Sequence, residues 1–184
     1  NGGTFLNFTA EVLSSMIDDT PKDNIFMFDQ LVVNSFDPND KTCLEGATIQ
    51  SSKIGEYVHY VIRFENSGTY KAQNITVKDV IDTDKFDINS LIPETGSHLF
   101  TTKISEGNKV EFLFEGINLP FDDANNDGFV AFKIKTKSTL KTGDEFSNSS
   151  SIYFDYNAAV ITNTATTKIA PNLSNPEFTN TNNF

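Results

Sequence analysis

EYVHYVIRFENSGTYKAQNITVKD, residues 56–79, is the stretch that decides the fold class. Val58, Tyr60, Ile62 and Phe64 alternate with His59, Val61, Arg63 and Glu65. A period of two places each set on its own face of a β-strand. Asn66-Ser67-Gly68 supplies turn chemistry, because Asn and Gly tolerate positive φ. Ile75 and Val77 restart the alternation, with Thr76 and Lys78 opposite. The stretch reads as two β-strand patterns joined by a turn.

The remainder repeats the device. Further strands are predicted at 4–12, 25–33, 48–50, 99–104, 109–114, 129–136, 146–154 and 160–169, with Gly, Asn and Asp between them. Val110, Phe112 and Phe114 alternate cleanly, as do Val130, Phe132 and Ile134. No convincing helix is predicted, apart from a single turn over 87–91. Short strands at this spacing predict an all-β fold, an antiparallel Greek-key β-sandwich with an extra N-terminal hairpin.

Composition agrees. The chain has 184 residues, with 17 Phe, 5 Tyr and no Trp. Aromatic and β-branched residues suit a pleated, half-buried surface. This length suits a domain with a real core and no disulfide staples. The formal net charge is −11, and Arg63 is the sole arginine. Phosphate backbones need clusters of Lys and Arg, so nucleic acid is an unsuitable partner, and so is an anionic membrane surface. No apolar run approaches the ~20 residues that span a bilayer, so no membrane insertion is expected. The sequence starts at Asn1 with neither an initiator Met nor a signal peptide, which reads as a module of a longer protein. Cys43 is the only cysteine, so no internal disulfide is possible, and it reads as a small apolar filler at a strand edge.

Residues 35–41, Ser-Phe-Asp-Pro-Asn-Asp-Lys, break the strand pattern with turn formers. The expected organisation is a hairpin over 1–33, a linker over 34–41, the sandwich over 42–170 and a polar, flexible linker over 171–184. Two strands cannot bury a core alone. The hairpin is therefore the end of an upstream module or an addition to this one. In the first case its Phe8 and Phe26 faces would seek a partner, and a swapped dimer is expected.

Three segments together resemble a known family. They are VNSFDPNDK at 33–41, YVIRFENSG at 60–68, and SIYFDYN at 151–157 followed by VITNT at 160–164. They are similar to an uncharacterised Ig-like domain of secreted and surface proteins of the Bacteroidota, placed before the C-terminal sorting domain of the Type IX secretion system. The resemblance implies an exported, extracellular module whose partners are other domains of the same protein. It implies no reaction.

Chemistry-bearing residues are few. Asp123, Asn125, Asp127 and Gly128 match the first half of a calcium loop, with oxygen ligands at every second residue and Gly at the sharp turn. Asp122 is available to complete such a site. The bidentate Glu of an EF-hand is replaced by Ile134, which excludes that motif. A second cluster, Asp37, Asn39 and Asp40, lies where calcium could stiffen an interdomain joint. The alternative for both is an ordinary polar turn. The run Asp79, Asp82 and Asp84 reads as a solvated loop. His59 and His98 lie in no catalytic motif, and no enzyme is expected. A glycan- or adhesion-ligand-binding module is the rival function, with Tyr57, Tyr70, Tyr153 and Tyr156 as stacking candidates. A row of exposed tyrosines would favour it, and scattered rings would favour a structural role. A Lys–Asn isopeptide crosslink beside a buried carboxylate is a third idea, with Lys53 and Asn163 as the formal pair.

Overall fold

The computed structural model describes residues 4–13, 20, 24–32, 39–122 and 124–172. Contacts divide the chain into two compact units, 1–37 and 38–184. The expected linker to the C-terminal side lies mostly outside the described residues.

The first unit is one antiparallel hairpin, β1 (Thr4–Glu11) against β2 (Ile25–Val32). Phe8 faces Phe28 across it, with ring centroids 6.3 Å apart.

Among its described residues the second unit holds twelve strands in three sheets. In chain order they are β3 (Lys41–Cys43), β4 (Thr48–Gln50), β5 (Tyr57–Glu65), β6 (Ile75–Val80), β7 (Phe86–Gly96) and β8 (Thr101–Ser105). Then come β9 (Lys109–Phe114), β10 (Asp127–Thr136), β11 (Glu145–Asn148), β12 (Ser150–Phe154), β13 (Val160–Ile161) and β14 (Ala165–Ala170). A four-stranded sheet runs β3-β5-β10-β7, and a five-stranded sheet runs β13-β12-β6-β9-β8. Their apolar faces meet through rings. Phe64 of β5 lies 5.1 Å from Phe114 of β9, and Phe132 of β10 lies 5.4 Å from Phe112 of β9, between centroids. This is the expected all-β sandwich. A small third sheet, β11-β14-β4, closes one side, with Phe146 edge-on to Phe86 of β7. Its β4–β14 pairing is parallel.

The alternation at 58–64 survives intact: Val58, Tyr60, Ile62 and Phe64 are all buried. The turn after it behaves differently. Strands β5 and β6 do not pair; they belong to opposite sheets. The Asn66 amide is buried and donates to the carbonyls of Tyr70 (2.9 Å), Leu119 (3.1 Å) and Pro120 (3.0 Å). It thereby holds two crossing loops together, because a buried amide needs its hydrogen bonds satisfied.

Three other expectations change. Residues 87–91 form no helical turn; they lie in β7, an edge strand. A bulge lies behind the misleading turn-like sequence. Ser90 Oγ donates to the Asp87 carbonyl (2.6 Å) and accepts from the Lys135 amide (2.8 Å), where the ladder shifts register. Pro93, which has no N–H to give, is tolerated on this edge. The single runs expected at 146–154 and 160–169 are each two strands, since the chain changes sheets at Ser149 and again between Ile161 and Ala165. Finally, Lys41 lies in β3, although the sequence reading placed it in the linker.

Candidate functional site

The most chemically loaded cluster is inside the sandwich. In β3 the inward positions are Lys41 and Cys43, paired with Ile62 and Tyr60 of β5. In β6 the inward set is Ile75, Val77 and Asp79. In β11 it is Phe146 and Asn148. Strict alternation thus aims a lysine, an aspartate and an asparagine at one point from three different sheets.

Burial there is almost complete: Lys41 is 1% exposed, Asp79 0%, Asn148 5% and Ser150 3%. Lys41 Nζ donates to Asp79 Oδ2 and, at 3.1 Å, to Ser150 Oγ. Asn148 Nδ2 donates to the same Asp79 Oδ2 at 3.3 Å. The amine lies 4.8 Å from the Tyr60 ring centroid and 5.3 Å from that of Phe132. Burial pushes the Lys41 amine down from its ordinary value, against the opposing pull of Asp79. Asp79 Oδ1 and Tyr60 Oη, both buried, have no hydrogen-bond partner among the described residues. Nearby, burial pushes the Cys43 thiol up, which keeps it protonated and inert.

Asp79 therefore corrects the sequence reading, which put it in a solvated loop. Lys41, expected as a linker residue, is likewise in the core. The expected isopeptide pair is not formed either. Lys53 is exposed on a 3-10 turn, Ser51–Lys53. Asn163 instead binds the backbone of Lys41, accepting from its N–H at 2.8 Å and donating to its carbonyl at 3.0 Å.

The expected calcium residues fall as follows. Asp37 and Asp123 lie outside the described residues. Asn39 is buried, and its Oδ1 accepts from the Glu65 amide at 3.2 Å. The Asp40 carboxylate accepts from Arg63 (2.9 and 3.2 Å) and from Thr42 Oγ1 (2.9 Å). In the turn before β10, Asn125 Nδ2 donates to Asp122 Oδ1 at 2.9 Å, and Asp127 opens β10 opposite Glu65. Neighbouring Asn126 is buried and donates to Glu65 Oε1 at 3.0 Å. Among the described residues, no three His, Cys, Asp or Glu side chains gather as a metal site. Gly128 was read as a sharp-turn glycine, but it lies inside β10 with the Phe64 ring against its Cα, where a Cβ would collide.

The tyrosines do not form a row. Tyr57 lies on the four-stranded sheet beneath Lys133 and Lys135, and Tyr153 lies on the five-stranded sheet beneath Lys78. Tyr70 and Tyr156 stand exposed on loops. His59 Nδ1 contacts Glu45 Oε1 at 2.7 Å. Burial alone would raise Glu45, but hydrogen bonds from His59 outweigh it and hold the carboxyl below its ordinary range. His98 contacts the hydroxyl of its neighbour Ser97 at 2.8 Å, on the surface.

Residues 37–168 match the model of a domain of unknown function, DUF7619, and the chain belongs to that family. No curated protein matches it. Among solved structures it is similar to the N-terminal domain of the Streptococcus gordonii adhesin Sgo0707, at 18% identity and TM-score 0.51. That match covers 77% of this chain and 34% of the other, so the chain spans about a third of that structure. It is also similar to the Corynebacterium diphtheriae major pilin SpaA, whose structure is described as a modular pilus assembly with stabilizing isopeptide bonds. Identity there is 15%, TM-score 0.51, and the match covers 72% of this chain and 38% of that one. Domains D2 and D3 of the C. diphtheriae major pilin SpaD match at 17% identity and TM-score 0.50, over 71% of this chain and 52% of that one. At these identities the likeness is one of fold.

Proposed function

We propose that this DUF7619 domain is a non-catalytic architectural module of an exported protein, one that spaces and stiffens neighbouring domains. One observation carries the reading. The Lys41–Asp79–Asn148–Ser150 cluster is almost fully buried in the core, where it joins three sheets. Its chemistry is turned inward, toward holding the fold. The scattered tyrosines support the same reading, because glycan platforms need rings on one accessible face. The shared fold with an adhesin and two pilins supports an extracellular or cell-surface location. The three sequence motifs support a Bacteroidota parent exported by the Type IX route.

Single-molecule pulling tests the proposal, paired with a glycan array. Unfolding of the sandwich in one high-force step, with no saturable glycan binding, supports a spacer. Saturable binding that disappears in a Tyr70→Ala, Tyr156→Ala double variant would replace it with the ligand-binding alternative.

A further inference from the structure

An ion pair enclosed by aromatic rings is a poor end state for a core. Removing two charges from water is expensive, and the attraction between them repays it only when every remaining lone pair is satisfied. Here one is not: Asp79 Oδ1 is buried without a donor among the described residues. The same carboxylate touches both a lysine amine and an asparagine amide through its other oxygen. A nucleophile, an acyl group and an acid are thus assembled at one point, and Tyr60 and Phe132 cover the amine.

We propose that Lys41 and Asn148 become joined by an amide bond from Nζ to Cγ, with Asp79 moving the protons and ammonia leaving. This goes beyond the architectural role, which stands or falls separately.

The atoms balance without any co-reactant. One proton passes from the Lys41 ammonium to Asp79, which leaves a neutral amine beside a neutral acid. Burial favours loss of that proton, since it penalises the Lys41 ammonium. The Asn148 amide presents either end to Asp79 by a half-turn of its terminal torsion, so Oδ1 can accept the acid proton. Nζ then attacks Cγ as Asp79 protonates Oδ1. Asp79 next relays a proton from Nζ to Nδ2. It takes back the proton on Oδ1 as the carbonyl re-forms and the Cγ–Nδ2 bond breaks. One C–N bond forms, one breaks, ammonia departs, and Asp79 ends as a neutral acid that keeps the proton the Lys41 ammonium gave up. The product has no charge left to bury. Exclusion of water by the two rings protects it from hydrolysis. The bond would staple β3, the first strand of the sandwich, to β11.

Intact-mass spectrometry of the purified, denatured full chain decides the matter. The expected mass lies about 17 Da below the sequence mass, the weight of one ammonia. Peptide mapping should then recover Lys41 and Asn148 in a single branched species, with no tryptic cleavage after Lys41. The Lys41→Met and Asn148→Ala variants should each show the full sequence mass and migrate more slowly on a denaturing gel. A wild-type chain at full sequence mass overturns the proposal whether or not the variants fold. So does a loss of the same size mapped to a succinimide at another asparagine. Either result leaves the architectural reading in place with a non-covalent core.

Discussion

Asn163 binds Lys41 by its backbone on both sides, accepting from the amide N–H at 2.8 Å and donating to the carbonyl at 3.0 Å. A side-chain amide here imitates a neighbouring strand. It completes the outer edge of β3, whose only ladder partner among the described residues is β5. Replacing Asn163 with Ala removes two hydrogen bonds, a loss of about 1–3 kcal/mol at ordinary strengths. Denaturant unfolding measures the total. Hydrogen exchange at the Lys41 amide should accelerate more than at Ile62 across the ladder.

Gly128 should tolerate no side chain. The Phe64 ring occupies the space a Cβ would need, and that ring is itself locked edge-on against Phe114 at 5.1 Å. Gly128→Ala should therefore destabilise the sandwich by about 3 kcal/mol, at the upper end of overpacking penalties. Adding Phe64→Leu should recover part of that loss. If Gly128→Ala melts like the parent chain, the contact is not a constraint.

These two positions show what the sequence carries and what it hides. Strand alternation was legible because Tyr60, Phe112 and Phe132 obey a period of two and are apolar. The same period also ran from Ile75 through Val77 to Asp79, so the burial of Asp79 was written in the pattern. It was missed because an aspartate near two others reads as solvated. Lys41 was hidden for the same reason, as lysines rarely enter cores unless paired. The partnering of strands was not legible either. Asn66 and Gly68 look alike whether a turn closes a hairpin or carries the chain to another sheet. Only the long-range contacts of Asn66 with Leu119 and Pro120 decide that.

The outer face of the five-stranded sheet should carry a modest acid dependence. Lys78 and Glu111 are opposed across β6 and β9, with Nζ and Oε1 2.8 Å apart. Their hydrogen bond lowers Glu111 and raises Lys78 from their ordinary values. A carboxyl lowered by folding contributes its stability above its unfolded value, about 4.3, and loses it as the pH falls through the lower folded value. The raised lysine contributes below about 10.4 and loses its share as the pH rises through the higher folded value. A double-mutant cycle with Lys78→Met and Glu111→Gln should give about 0.5 kcal/mol at neutral pH, as exposed pairs do. The coupling should vanish near pH 2, and a value that persists there would exclude the ion pair as its source.

Calcium stiffening of the segment 122–127 is a separate proposal, resting on the every-second-residue spacing of Asp123, Asn125 and Asp127 in the sequence, with Asp122 available to complete the site. An ion at a hundred times its Kd adds ~2.7 kcal/mol to stability. In a chain of this size that raises Tm by roughly 5–11 °C over a chelated sample. An Asp123→Ala, Asp127→Ala variant should abolish the rise. An unchanged Tm in the parent chain leaves these residues as turn formers.

The parallel ladder of β4 and β14 has a consequence for a molecule under tension. Lys168 pairs with Thr48, Ile169 with Ile49 and Ala170 with Gln50. The two strands point the same way, one early in the sandwich and one at its close. With Lys41 and Asn148 left unjoined, a pull along the chain draws β4 from its leading end and β14 from its trailing end, in opposite directions along nearly one axis. The bonds between them are then loaded together, in shear, and cannot peel open one at a time. The domain would yield late and abruptly, as a fastener does, where an unzipping edge would give way by degrees.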